Sequence, residues 1–310
     1  MKITFGVINY NRLFYMKSCV ESLMRSIEDY DGEVEFICID DNSREPGTQE
    51  YLQSLSERGW KVINQEDHRT KSKADINQVK DLIDEYSAAL NIFLEESSGD
   101  LLVPLQGDMQ FVRKNWLQDY VSLFTERDDV FVAVLDAQRK VRLKSAYFTD
   151  YTKHGNNIFA VNPRRIVPGA GDCFYKREYL EAMGGWQVGG SNNSEDAFTN
   201  MAEEMFPDKK VYMPWFPASL AIYTDPRGTM GRVRGNTRYG VYWEALEDDL
   251  YYEWVDLKDF EVNTDRPLSI EEMAAPHGDW ELPLDENGNW KKNPINWPYE
   301  TENVPVEIIY

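Results

Sequence analysis

Ile3-Thr4-Phe5-Gly6-Val7-Ile8, followed at once by Asn9-Tyr10-Asn11-Arg12, reads as a short buried strand that breaks off into a polar turn. The helical spacing of Leu13 to Ser26 comes next, then a second apolar run, Val34 to Ile39, ending in Asp40-Asp41-Asn42-Ser43. A second helix is expected over Gln49 to Arg58 and a third strand over Trp60 to Ile63. After a polar stretch, Asp67 to Lys80, a helix carrying Tyr86, Ala89, Leu90 and Phe93 leads through Ser98-Gly99 into a fourth strand, Leu101 to Leu105. Short apolar runs alternating with helical periodicity are the pattern of parallel βαβ units. They predict an α/β fold, doubly wound and Rossmann-like, whose ligands sit beyond the carboxyl ends of the strands.

Outward from that core the alternation continues, with a helix over Asn115 to Thr125 and a strand over Val130 to Leu135. From Ala137 to Pro168 the pattern weakens and an excursion from the sheet is expected. Phe174 to Met183 reads as a helix closed by Gly184-Gly185, Glu195 to Met205 as another, and Val211 to Pro214 as a short strand. The sheet domain is thus expected over 1–225, followed by a basic loop and helix over 226–254 and an extension over 255–310. The extension holds 13 Asp/Glu against 4 Lys/Arg, with prolines, Asn287-Gly288, and the aromatics Trp280, Trp290, Trp297 and Tyr299. Prolines and Asn-Gly favour extended segments and turns, so it reads as an irregular tail packed over the main domain or a sister subunit, as in a homodimer.

A chain of 310 residues with 42% hydrophobic content can bury a sizeable core. A formal charge of -21 opposes attachment to nucleic acid or an anionic lipid surface, whose phosphates it repels. No apolar run approaches the roughly 20 residues that span a bilayer. Cys19, Cys38 and Cys173 are odd in number and far apart, which fits a reducing, cytoplasmic setting. His68, His154 and His277 lie in polar segments without metal-ligand spacing and read as surface residues.

The chemistry gathers where strands end. Asn9-Tyr10-Asn11-Arg12 offers an aromatic ring that can face a base. In Asp40-Asp41-Asn42-Ser43 a carboxylate can accept from a uracil N–H or a ribose hydroxyl; equally, Asp41 or Ser43 suits the cap of the next helix. Asp108, in Gln106-Gly107-Asp108, is a hard oxygen donor suited to Mg²⁺ or Mn²⁺ on a diphosphate, or to the N–H groups of a turn. Pro168-Gly169-Ala170-Gly171-Asp172 is a turn. Beyond it, Gly189-Gly190-Ser191-Asn192-Asn193-Ser194 feeds a helix whose first turn holds Glu195 and Asp196. Acidic residues there complement the helix dipole, and a carboxylate at a helix mouth can also take a proton from an attacking hydroxyl. Arg227, Arg232, Arg234 and Arg238 reverse the local charge around Gly228, Gly231 and Gly235. Guanidinium groups of that kind grip a leaving diphosphate in bidentate fashion, or simply form a solvated loop. Trp186 suits stacking on a sugar face, or packing in a core.

Taken in order, these motifs resemble glycosyltransferase family 2 on the nucleotide-diphospho-sugar transferase (GT-A) fold, over roughly residues 2 to 225. The resemblance rests on 7–12, 39–43, Ala89-Leu90-Asn91 before Ser98-Gly99-Asp100, 105–108, 169–172 and Glu195-Asp196. It implies a mixed, mainly parallel sheet flanked by helices and an inverting transfer from a nucleotide-sugar donor (UDP- or GDP-sugar) to a glycan or other hydroxyl acceptor. Asp196 is then the catalytic base, and Tyr10 and Asp41 hold the base of the nucleotide, with Asn9, Arg12, Gln106 and Gly107 beside them. Asp108 binds the divalent ion, Asp172, Glu195 and Trp186 lie toward the sugar or acceptor, and Arg227, Arg232 and Arg234 face the diphosphate. The sequence departs from the family where Gln106 replaces the first carboxylate of Asp-x-Asp, and where a His after the last core strand is absent; Asp225 can stand in as a metal ligand. A nucleotidyltransferase is the runner-up, although the turn after the first strand lacks a Gly-rich, basic triphosphate loop. A non-catalytic nucleotide- or glycan-binding module is the third reading, prompted by Gln106.

Overall fold

The computed structural model describes residues 1–10, 13–43, 46–68, 79–107, 109–111, 115–135, 150–162, 172–188, 194–214 and 218–221. Strand β1 (Ile3–Asn9) is buried along its whole length, so both its faces are covered. β2 (Val34–Asp40), β3 (Lys61–Asn64) and β4 (Leu101–Leu105) lie parallel to it, with β2 on one side and β4 on the other. β6 (Val130–Val134), β10 (Lys210–Pro214), β9 (Cys173–Lys176), β8 (Asn157–Asn162) and β7 (Asp150–His154) complete a sheet in the order β3-β2-β1-β4-β9-β6-β10-β8-β7. Only β8 and β9 run against the common direction. β5 (Met109–Phe111) and β11 (Ser219–Ala221) form a separate antiparallel pair.

The alternation of side chains along β1 builds two cores. Ile3, Phe5 and Val7 face a layer made by α1 (Leu13–Ser26), α2 (Thr48–Glu57) and α4 (Leu117–Glu126). Ile8 faces the opposite layer, made by α3 (Val79–Glu96), α5 (Arg177–Met183) and α6 (Ser194–Met205). The expected mixed, mainly parallel α/β sheet flanked by helices is therefore what the chain forms.

Two expectations change. Phe174 to Lys176, read as the start of a helix, are strand β9, wedged antiparallel between β4 and β6, and the helix begins only at Arg177. Asp150 to Asn162, read as an excursion, form the β7–β8 hairpin that extends the sheet beyond β10. The irregular extension, 255–310, and the basic loop, 226–254, lie outside the described residues.

His154, read as a surface residue, is buried at 4% exposure between that hairpin and α4. Its Nδ1 donates to Glu126 Oε2 at 3.1 Å, and its Nε2 faces Thr152 Oγ1 at 3.0 Å. The neighbouring Asn156 N–H donates to Asp119 Oδ1 at 2.7 Å. Desolvation lowers the His154 pKa below its ordinary 6.5, against the opposing pull of Glu126. A histidine whose pKa is lower folded than unfolded contributes stability above its unfolded value and loses it as pH falls through that value. Thermal unfolding from pH 7.5 down to 5 should therefore show a loss of stability that His154→Gln largely abolishes. Equal slopes in the two proteins would remove His154 as its source.

Candidate active site at the carboxyl edge of the sheet

The chain winds from β1 outward to β2 and β3, then returns to β4 on the far side of β1. Strand order thus reverses between β1 and β4, where α/β sheets open a crevice for ligands. Asn9, Asp40 and Gln106 stand at the carboxyl ends of β1, β2 and β4.

Asp40 is 2% exposed and accepts three hydrogen bonds, from Asn9 Nδ2 at 2.8 Å, Ser43 N at 2.8 Å and Ser43 Oγ at 2.6 Å. Asn9 Nδ2 also donates to Ser43 Oγ at 3.2 Å. Both amide hydrogens of Asn9, expected among the nucleotide-binding groups, thus hold the loop after β2. Asp41, 7% exposed, is tied by its own N–H to Asn9 O at 2.9 Å. Neither Asp41 nor Ser43 caps α2: that position belongs to Gly47, which makes no side-chain cap. Behind the loop, burial and the Asp40 charge raise the Cys38 thiol far above its ordinary range, so it offers no nucleophile at neutral pH.

Gly107 has φ 78°, and a Cβ there would lie 2.8 Å from Ile8 O. Any side chain would drive the turn off β1, which is why glycine follows Gln106. Asp172 is the second anchor of this turn. Its N–H donates to Pro104 O at 2.7 Å, its carbonyl accepts from Leu135 N at 3.1 Å, and its Oδ1 accepts from Gln106 N at 3.1 Å. A residue at φ 61° and fully buried is thereby fixed across the ends of β4 and β6. The β5–β11 pair sets Met109, the residue after Asp108, opposite Ala221, four residues ahead of Asp225.

Helix α6 is the element that leads into β10. Its last turn leads through Phe206 to Lys210, whose N–H donates to Asp129 O at the opposite, amino end of β6. Its twelve residues, at about 1.5 Å each, make it some 18 Å long from its first turn. Ser194, Glu195 and Asp196 form that turn. Tyr10, half-buried, follows the end of β1. Arg12, Asp108, Asp225, Arg227, Arg232 and Arg234 lie outside the described residues, as do the side chains of Glu195 and Asp196.

Trp186, expected near a sugar, is instead 2% exposed and packed in the core, stacked on Phe198 at 5.6 Å and 10°. Asn91, quoted only as part of a motif, proves to be the partner of its backbone: Asn91 Nδ2 donates to Trp186 O at 2.8 Å and Trp186 N donates to Asn91 Oδ1 at 2.7 Å. An amide on a helix otherwise packed into the core was the available signal.

A mostly parallel sheet with a glycine turn and buried carboxylates at its switch point defines the fold class, an α/β domain of the GT-A kind. Residues 4–79 match the profile of glycosyl transferase family 2. No curated protein matches the chain. Among solved structures, S. aureus TarS 1-349 aligns with a TM-score of 0.50 and 14% identity over 76% of this chain and 63% of that one. The complex of the same TarS 1-349 with UDP aligns at TM-score 0.50 and 15% identity over 84% and 70%. The chain thus spans less than two thirds of the first of these structures, and at such identity the likeness is one of fold. Over residues 4–79 the chain is thus similar to glycosyl transferase family 2, and its sheet shares the GT-A fold of these structures. Among the described residues no helix is long and apolar enough to cross a membrane.

Proposed function

We propose that the chain transfers a sugar from a UDP- or GDP-sugar to a hydroxyl of a glycan or other acceptor, with inversion at the anomeric carbon. The observation that carries this reading is the gathering, at one switch-point edge, of Asp41, the Gly107 turn and Asp172. In the reaction the acceptor O–H gives its proton to the Asp196 carboxylate while its oxygen forms a bond to the anomeric carbon. The bond from that carbon to the diphosphate oxygen breaks, and its electron pair leaves with the nucleoside diphosphate. Tyr10 and Asp41 hold the nucleotide base; Arg227, Arg232 and Arg234 take up charge on the departing diphosphate. Glu195 and Asp172 orient the acceptor and sugar.

Asp108, Asp225 and the Gln106 amide are an oxygen-only donor set, which fits Mg²⁺ or Mn²⁺. Among the described residues no group of three His, Cys, Asp or Glu could hold a metal; Asp108 and Asp225, which this reading assigns to the ion, lie outside them. An ion bound there would neutralise part of the diphosphate's charge. The same reading includes residues 226–254 as the diphosphate loop, 255–310 as a cover for the main domain or a second copy, and a cytoplasmic setting.

Calorimetric titration with UDP, UDP-sugars and GDP-sugars, with and without Mn²⁺, tests the donor assignment, and UDP is the first probe. One nucleotide family is expected to bind, at least tenfold more tightly with the ion than in EDTA. Absence of binding by every nucleotide sugar would overturn it.

A further inference from the structure

From the geometry we infer that Trp186, held by Asn91 and stacked on Phe198, is a positioning residue. It fixes the first turn of α6, and with it Asp196. The inference rests on the reading of Asp196 as the base.

Three features meet at this point. Helix α5 ends at Gly184 and Gly185, with φ 73° and 80°, and the Gly185 N–H donates to Leu180 O at 3.0 Å. A Cβ on Gly185 would stand 2.3 Å from Asn91 Oδ1, so the chain here presses directly against α3. The following residue then closes a two-hydrogen-bond ring with the Asn91 amide, which donates to Trp186 O and accepts from Trp186 N. No free rotation remains at the point where the segment 187–197 departs.

That segment returns at Phe198, two residues after Asp196. The Phe198 ring is stacked nearly parallel to Trp186, and both stand edge-on to Tyr175 of β9, at 84° and 89°. Phe131 of β6 closes the cluster at 6.2 Å from Phe198. Departure and return of the loop are thus joined by one stacked pair anchored on the central strands. The pair sets both the rotation of α6 about its axis and its position along that axis. A buried pair of rings contributes geometry that apolar burial alone does not, because offset stacking has a preferred separation and tilt. The indole Nε1 has no hydrogen-bond partner among the described residues, so the ring's shape, and not its N–H, is what the cluster uses.

A base displaced by about 1 Å loses up to about 100-fold in rate without any loss of donor contacts. The test compares Trp186→Leu, Trp186→Phe and Asn91→Ala in the full chain, by steady-state kinetics with the nucleotide sugar that the wild type turns over, by donor titration, and by amide hydrogen exchange. Trp186→Leu and Asn91→Ala are expected to lower kcat about 10- to 100-fold with donor affinity per folded molecule within twofold, and to speed exchange at 195–199 while β1 and β4 keep their protection. Trp186→Phe retains a stacking ring and should restore kcat to within about fivefold of wild type. A leucine variant with unchanged kcat, or an undisturbed first turn of α6 in the exchange data, overturns the inference; so does a parallel loss of donor affinity. A wild type that transfers no sugar would remove the proposed function, and the exchange measurement would still decide whether Trp186 holds the helix.

Discussion

Asp196→Asn is expected to slow sugar transfer about 10²- to 10⁴-fold while leaving donor affinity within about twofold. The substitution keeps the shape of the side chain and removes only its ability to take a proton. Two roles compete for an acidic residue in the first turn of α6, and they differ in size. If the carboxylate serves the helix dipole, its loss costs about 0.3–1 kcal/mol of stability and nothing in rate. If it is the base, the same loss appears as about 2.7–5.5 kcal/mol in the barrier, since each tenfold in rate is about 1.4 kcal/mol. Measuring kcat, donor affinity and the unfolding midpoint on one preparation separates the two. A variant with wild-type kcat and a slightly lowered midpoint would leave Asp196 as a helix-stabilising residue only.

The elements that local pattern encodes were readable from the sequence. Helix α1 begins and ends where its periodicity does, at Leu13 and Ser26, and β4 coincides with the apolar run from Leu101 to Leu105. What local pattern does not encode is pairing between distant segments. Phe174 and Tyr175 continue smoothly into the helical spacing of Leu180 and Met183, yet Tyr175 lies opposite Leu102 and Val132, whose sequence distance no window contains. The β7–β8 hairpin escaped notice because Asp150-Tyr151-Thr152-Lys153-His154 is an edge strand of mixed polarity, and His154 is covered by α4 together with Phe159 of the facing strand, neither of which is next to it in sequence.

The candidate site divides in the same way. Carboxylates at strand ends are legible because apolar runs stop there, which singles out Asp41 and the Gln106-Gly107 turn, whereas Asp172 reads from sequence only as part of a glycine-bearing turn. What holds the first of these carboxylates is a residue one strand away: Asn9 engages Asp40, and its carbonyl accepts from the N–H of Asp41, the next residue along the edge. Trp186 shows the converse error, since an aromatic beside a polar loop looks like a ligand platform until Phe198 is seen to cover it.

The Asn9 network carries the second large effect. Asn9→Leu keeps the number of side-chain heavy atoms but withdraws one of the three donors on a carboxylate that is 2% exposed. A hydrogen bond to a charged group contributes about 1.5–3 kcal/mol, and the apolar surface gained by leucine offsets only part of that, so a net loss of about 2 kcal/mol is expected in urea unfolding. Donor affinity should fall as well, because the turn carrying Asp41 loses its cross-strand tie while the backbone bond from Asp41 N to Asn9 O remains. Asn9→Asp separates charge from shape. It sets two carboxylates at hydrogen-bonding distance, which retain a shared proton in the folded protein and lose it when unfolded. A proton held more tightly by the folded state stabilises at low pH and is lost as pH rises. Relative to wild type, Asn9→Asp should therefore be markedly weakened at pH 8 and recover toward pH 5, whereas the deficit of Asn9→Leu should change little over that range. A flat pH response in Asn9→Asp, or a leucine variant within about 0.5 kcal/mol of wild type, would show that Asp40 draws its support from Ser43 alone.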